Sequence, residues 1–485
     1  MGKSERRVET ETPDNAGVGI IQPMRILLVA YDNGSLIHVF PIGLAYIAAV
    51  LKRAGHDVEV YNQDQFHYPE SHLTAHLDKN QYDMVGVSII AGYYQYRKLL
   101  KISEAINNSR NRPFYVLGGH GPSPEPEFFL KKMQADAVVV GEGEATAIEL
   151  VSALADRRPL KDVKGLAFRN GNTVTINERR PLIKDIDALP LPAYELFPVD
   201  YYRLIRMPNT TNNDFVMSTI SGRGCPFKCN FCYRMDEGFR PRSNESIIGE
   251  IQLLKKDYGI NYIDFEDELL MSSRERTIAL CEDFVRERLD IHWCCSGRLN
   301  YAEPGVLKAM KKAGCVFINY GIEAMDDRIL RNMNKALTTR QITKGVEATL
   351  AEGISPGLNI LFGNIGENRE TLSKGVEFLL KYDDGSQMRT IRPVTPYPGC
   401  PLYYSAIEKG LLKDCEDFYE NKHLNSDLLA VNFTDMTDEE FHEALFEANS
   451  KLIENYFRNR MQSAIGQARK LYIEKNTDFR GFRQT

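Results

Sequence analysis

The stretch Ser221-Gly-Arg-Gly-Cys-Pro-Phe-Lys-Cys-Asn-Phe-Cys-Tyr233 decides how this chain is read. Cys225, Cys229 and Cys232 form a CxxxCxxC pattern, three thiols within eight residues. Fully extended, the seven peptide steps between the outer two span roughly 25 Å, so the segment must curl to bring its thiols to one centre. Gly222, Gly224 and Pro226 are the residues that let it turn. A structural zinc site takes four protein ligands, often as two CxxC pairs, and no second pair exists here. Iron–sulfur clusters also take thiolates, usually four. Three cysteines on one loop leave one iron of a cubane open to a ligand that is not protein.

Outward from this loop, short apolar runs alternate with helical stretches on both sides. Upstream, residues 26–30, 58–61, 84–90, 114–117 and 137–140 read as strands with helices between most of them. This predicts a Rossmann-like, doubly wound, five-stranded parallel sheet over residues 24–155, after a polar arm over 1–23. Residues 156–210 read as a connector, with a β-hairpin around Asn170-Gly171 followed by a proline-punctuated crossing. Downstream, strands are expected at 217–220, 262–265, 292–296, 316–321 and 358–362, giving a partial (β/α)6 TIM-type barrel over 211–402. A small, mainly helical domain is expected over 403–485, with amphipathic spacing from Asp438 to Met461. The fold class is therefore α/β throughout the first four-fifths. Ligands of such sheets and barrels gather at the carboxyl ends of strands, and the cysteine loop follows the first barrel strand.

With Phe231 just before its last cysteine, the loop resembles that of the radical S-adenosylmethionine (SAM) superfamily. The resemblance implies that Cys225, Cys229 and Cys232 hold a 4Fe-4S cluster whose fourth iron takes the amino and carboxylate groups of SAM. Within Asp264-Phe-Glu-Asp-Glu268 it implies that Asp267 receives the SAM ammonium; on charge alone the segment reads equally as a solvated acidic loop. Arg298 is implied to pair with the SAM carboxylate or a substrate anion, Glu323 to meet the ribose or amino group, and Gly363 to open the adenine-side loop. Residues 25–155 resemble the cobalamin-binding domain that precedes the barrel in one large class of these enzymes. The matching features are Gly43 in Pro41-Ile-Gly-Leu-Ala-Tyr46, Ser88 at a strand end, Gly118-Gly119-His120, and Gly141-Glu142-Gly143-Glu144. The Asp-x-His-x-x-Gly signature is missing, which implies that no histidine ligates the cobalt. His38 and His120 then read as loop residues, and a Rossmann-like module without a corrin is the competing reading of this domain. Cys294 and Cys295, adjacent in a strand, face opposite sides and read as packing residues.

The 485 residues allow two to four domains. A hydrophobic share of 43% and a charged share of 26% are those of a globular protein, and a net charge of −6 gives no reason to favour nucleic acid or lipid over a small molecule. No apolar run reaches the ~20 residues of a membrane span. The polar first fifteen residues carry no secretory signal, and the remaining cysteines have no framework spacing, so a reducing cytoplasm is expected. The resemblance implies reductive cleavage of SAM to a 5′-deoxyadenosyl radical, an electron donor of flavodoxin or ferredoxin type, and a small biosynthetic substrate. C-methylation through cobalamin is the leading reading. Ring formation or oxidation without methyl transfer, as in the anaerobic oxidative cyclase of bacteriochlorophyll synthesis, is the second. A non-catalytic cobalamin or iron–sulfur binding module is the third.

Overall fold

The structure is a computed structural model that describes residues 22–34, 39–235, 237–478 and 482. Most of the expected N-terminal arm, and His38, fall outside these residues. Strands β1 (Arg25–Ala30), β2 (Asp57–Asn62), β3 (Met84–Ser88), β4 (Phe114–Gly118) and β5 (Ala137–Val139) pair in parallel in the order β2-β1-β3-β4-β5. Alternate residues of β1 enter different cores: Ile26, Leu28 and Ala30 join one, Leu27 and Val29 the other. Period-two alternation between two buried faces is why this strand reads as a continuous apolar run.

The connector is more than a spacer. Its hairpin, β6 (Leu166–Asn170) and β7 (Thr173–Ile176), adds two antiparallel strands to the edge at β5, so the sheet has seven strands and not five. Phe40 then packs against three aromatics of the crossing, at 5.2 Å from Tyr194, 5.1 Å from Phe197 and 5.4 Å from Tyr202. Such ring pairs contribute about 0.5–1.5 kcal/mol each beyond area burial. The crossing therefore glues the first domain to the barrel.

In the barrel, β8 (Val216–Thr219) is followed by a short ribbon of β9 (Gly222–Arg223) and β10 (Arg240–Pro241) that frames the cysteine loop. Strands β11 (Tyr262–Phe265), β12 (His292–Gly297), β13 (Cys315–Glu323), β14 (Ser355–Phe362) and β15 (Arg392–Pro393) complete a six-stranded parallel sheet in the order β15-β14-β13-β12-β11-β8. Cys295 enters the main core, while Cys294 faces the other side and donates its thiol to Asp264 at 3.1 Å. The C-terminal segment ends in a 35-residue helix, Asp438–Tyr472, opened by a Thr437–Glu440 capping box. Phe441 of this helix stacks on Phe362 of β14 at 4.7 Å.

Candidate functional site

The cysteine loop begins at Ser221, which is fully buried and held on both sides. Its N–H donates to both carboxylate oxygens of Asp267 at 2.9 Å. Its carbonyl accepts from Arg276 Nη2 at 2.7 Å and from the Arg242 N–H at 2.9 Å. Arg242 in turn pairs with Glu250, and Tyr194 donates to the same carboxylate at 2.5 Å. Both charges of that pair are almost completely buried, so each depends on the other for its solvation.

The loop is stitched to two further turns. The N–H of Asn230 donates to the Met333 carbonyl at 2.9 Å, Asn334 Nδ2 to the Lys228 carbonyl at 2.7 Å, and the Leu402 N–H to the Asn230 carbonyl at 2.8 Å. Cys229 is buried, Cys225 half-buried and Cys232 exposed. Arg298 lies with its guanidinium 3.5 Å from the Phe227 ring centroid and donates to the carbonyls of Lys335 and Ala336. Burial lowers the Arg298 pKa, and a hydrogen bond to Cys229 opposes that. Its Nε is buried without a partner. Glu323 accepts from Lys335 Nζ at 2.7 Å, and that ammonium sits 5.9 Å from the Phe231 ring centroid. Glu323 has φ +67°, a left-handed conformation that costs about 1–3 kcal/mol outside glycine.

These residues fit an anionic iron–sulfur group. Burial pushes the Cys232 thiol up to about 12 and raises Cys225 as well; a bound metal centre would convert both to thiolates. Two cations, Arg298 and Lys335, stand beside them, and the unpartnered Nε is a donor in want of an acceptor. Among the described residues no three His, Cys, Asp or Glu side chains are drawn together tightly enough to hold a single metal ion. A multi-iron cluster spreads its ligands further apart than one ion does.

Asp267 and Glu268, adjacent in this segment, have different surroundings. Asp267 is 3% exposed and its two oxygens are taken by the Ser221 N–H; burial raises it to about 6. Glu268 is exposed, and its charge bears on both the Cys225 thiol and the His120 imidazole. Gly363 likewise serves a local turn: its N–H donates to Glu367 at 2.7 Å, and it lies against Phe441 of the C-terminal helix.

The carboxyl ends of β3 and β4 face the same mouth. Gly119 has φ +94°, and a Cβ there would lie 2.8 Å from Ser88 Oγ, so only glycine lets the loops after β3 and β4 pack this closely. The Gly118 carbonyl accepts from the Ile89 N–H at 3.1 Å, and Ile90 beyond it is 51% exposed. His120 meets Tyr233 of the cysteine loop edge-to-face at 6.2 Å. Gly399, with φ +93°, leaves room for Pro124 and Tyr233, which a Cβ would approach to 2.6 and 2.5 Å. His120 and Cys232 both keep open surface, yet surrounding protein desolvates them, lowering the imidazole pKa and raising that of the thiol. Glycine backbone, exposed Ile90 and the exposed His120 imidazole are chemically suited to lie against a flat macrocycle at this end of the sheet.

Gly43 is exposed near the start of the helix Ile42–Arg53, with open space where a Cβ would be. The Gly141–Glu144 turn is occupied by protein. The Gly141 N–H donates to Ser123 Oγ at 2.8 Å, and Gly143 abuts Ile47. Glu142 accepts from Arg223 at 2.9 Å and Arg240 at 3.0 Å, and Glu144 from Arg223 at 2.5 Å. This turn clamps the first sheet onto the ribbon that frames the cysteine loop. A separate pocket of about 450 Å³, among Asp214, Arg288 and His292, opens at the amino-terminal end of the barrel strands, away from the cysteines.

A parallel sheet ordered 2-1-3-4-5, a three-cysteine loop after the first strand of an open barrel, and a shared mouth between them define a cofactor-dependent α/β enzyme of two joined units. Comparison with known proteins agrees: the sequence matches the B12 binding domain over residues 37–151 and the Radical SAM superfamily over residues 219–379. It is 33% identical over 400 residues to a protein of Pyrococcus horikoshii named uncharacterized methyltransferase PH0819, covering 80% of this chain and 84% of that one. It is 26% identical over 389 residues to the anaerobic magnesium-protoporphyrin IX monomethyl ester cyclase of Rubrivivax gelatinosus, covering 78% and 68%. Its fold is shared with the radical SAM methyltransferase TsrM from Kitasatospora setae, with a TM-score of 0.71 at 18% identity over 88% and 89% of the two chains. The chain belongs to the radical SAM superfamily, in the branch that carries a B12 binding domain ahead of the barrel. It is a cobalamin-dependent radical SAM enzyme, with cobalamin, a 4Fe-4S cluster and SAM as its cofactors.

Proposed function

We propose that this enzyme is a C-methyltransferase acting on an unactivated carbon of a small biosynthetic intermediate. The observation that carries the reading is the contact between the two units, where the β4 loop bearing His120 and Pro124 meets Tyr233 of the cysteine loop. Together the cofactors supply a 5′-deoxyadenosyl radical and a transferable methyl group. The protein's part is placement. Cys225, Cys229 and Cys232 would hold the cluster, with Phe231 packed behind them. Arg298 stands beside Cys229 and its Nε–H is without a partner, which suits a cluster sulfur or the SAM carboxylate. Glu268, not Asp267, offers the free carboxylate for the SAM ammonium; Asp267 holds the root of the loop. Glu323, fixed by Lys335, presents its second oxygen for the ribose or amino group. Gly363 keeps the neighbouring turn in shape. Ser88, Gly118, Gly119 and His120 form the floor for the corrin, while Gly141, Glu142 and Gly143 hold that floor against the barrel. Gly43 lies at the rim of this unit.

The electron comes from a flavodoxin or ferredoxin-type donor in a reducing cytoplasm, a setting consistent with nine free cysteines. The cyclase relative supports a second reading, oxidation or ring formation without methyl transfer. The products of SAM decide between the two. S-adenosylhomocysteine and 5′-deoxyadenosine formed together with substrate support methyl transfer; 5′-deoxyadenosine without S-adenosylhomocysteine supports the second reading and removes the first.

A further inference from the structure

The helix Asp438–Tyr472 has two apolar faces, and the protein uses one. Phe441, Ala444, Leu445, Ala448 and Leu452 are its buried residues. They recur every three or four positions and dock the first half on the barrel, where Arg369 pairs with Glu443 at 2.8 Å and Asn449 bonds Ile391. Beyond Leu452 no residue of the helix is buried. Residues 457–472 continue for about four turns, roughly 24 Å, as an exposed rod.

That rod is amphipathic. Phe457, Met461, Ile465 and Tyr472 are 59%, 57%, 61% and 61% exposed. At about 100° per residue, these four and Ala464, Ala468 and Leu471 fall within an arc of roughly 120°, and no polar residue of the rod falls inside it. Phe446, 73% exposed, lies on the same line one stretch earlier, opposite the docked face. Arg458 and Arg469 border one edge of the arc, Arg460 borders the other, and Lys470 lies behind. No Asp or Glu occurs between Glu454 and Glu474, although the whole chain carries a net charge of −6.

We infer that this exposed face is a docking surface for an anionic membrane, on which the rod lies parallel to the surface. An apolar stripe with basic flanks matches the boundary between acyl chains and anionic headgroups. A second copy of the chain is the weaker occupant, since pairing two such rods sets like charges against each other along both edges. Among the described residues no helix is long and apolar enough to cross a membrane.

The test is co-sedimentation of the holoenzyme with vesicles of phosphatidylcholine alone or mixed with phosphatidylglycerol. The wild-type protein is expected to pellet with the mixed vesicles only, and less at high salt. Phe457→Ser/Ile465→Ser and Arg458→Glu/Arg469→Glu should each weaken binding at least about tenfold, with thermal unfolding and SAM cleavage unchanged. Equal binding to both vesicle types, or to neither, overturns the inference. So does a concentration-dependent dimer of the wild type that Phe457→Ser/Ile465→Ser abolishes, which would give the stripe to a second copy.

Discussion

Asp267 and Glu268 are neighbours with opposite surroundings. One is buried against the Ser221 N–H, the other is exposed, near enough to Cys225 and His120 for its charge to act on both. Glu268→Gln is therefore expected to raise the Kd for SAM about tenfold while leaving thermal stability within about 0.5 kcal/mol of wild type. Asp267→Ala is expected to lower stability by about 1–3 kcal/mol, because it strands the buried Ser221 N–H. SAM titration and thermal unfolding on both variants check the pair. The strand period could have separated them: continued past β11, it sets Glu266 and Glu268 on one side and Asp267 on the other. The positions of Cys225, Cys229, Cys232 and Arg298 were legible, since the three cysteines share the loop that follows the first barrel strand and Arg298 directly follows β12. Lys335 gave no such sign; its partner Glu323 lies in another element. A second residue-scale effect concerns Glu367, which burial raises to about 8 from its usual 4.5. The folded protein then holds a proton that the unfolded chain releases near pH 4.5. This contribution to stability is full below that pH and is lost as pH rises through about 8. Glu367→Gln should flatten the fall in stability between those values, by on the order of 5 kcal/mol. Thermal melts across that range decide it; equal slopes in the two proteins would contradict it.

At the scale of elements, the root of the cysteine loop rests on the buried Arg242–Glu250 pair in addition to its own glycines. Glu250→Ala leaves a buried guanidinium uncompensated and is expected to cost about 3–5 kcal/mol. The double change Arg242→Met/Glu250→Leu removes both charges and should recover most of that. If the single variant unfolds at the wild-type temperature, the pair does not support the loop. The parallel strands of both units were readable because apolar runs and turn residues are local signals. The hairpin's pairing with β5 was not readable, because an antiparallel edge addition depends on which edge is left open, a property of the assembled sheet. The long helix was legible as amphipathic, but which of its faces docks is set by Phe362 on a distant strand.

For the whole molecule, the decisive contacts join the two units. Glu142 and Arg223 are 81 residues apart, and no local pattern links them. Their clamp, with Arg240 and Glu144, carries the Gly141–Glu144 turn to the edge of the cysteine loop. Glu142→Gln/Glu144→Gln should loosen this junction, giving faster limited proteolysis within the connector and less S-adenosylhomocysteine, while 5′-deoxyadenosine formation persists. Loss of both products together would instead make the clamp a simple requirement for folding. The central claim is that SAM is cleaved at the three-cysteine loop. Its most direct test is 5′-deoxyadenosine formation by reduced, reconstituted Cys229→Ala beside the wild type, with equal folding verified by thermal unfolding. The variant is expected to form none; formation at the wild-type rate would contradict the assignment.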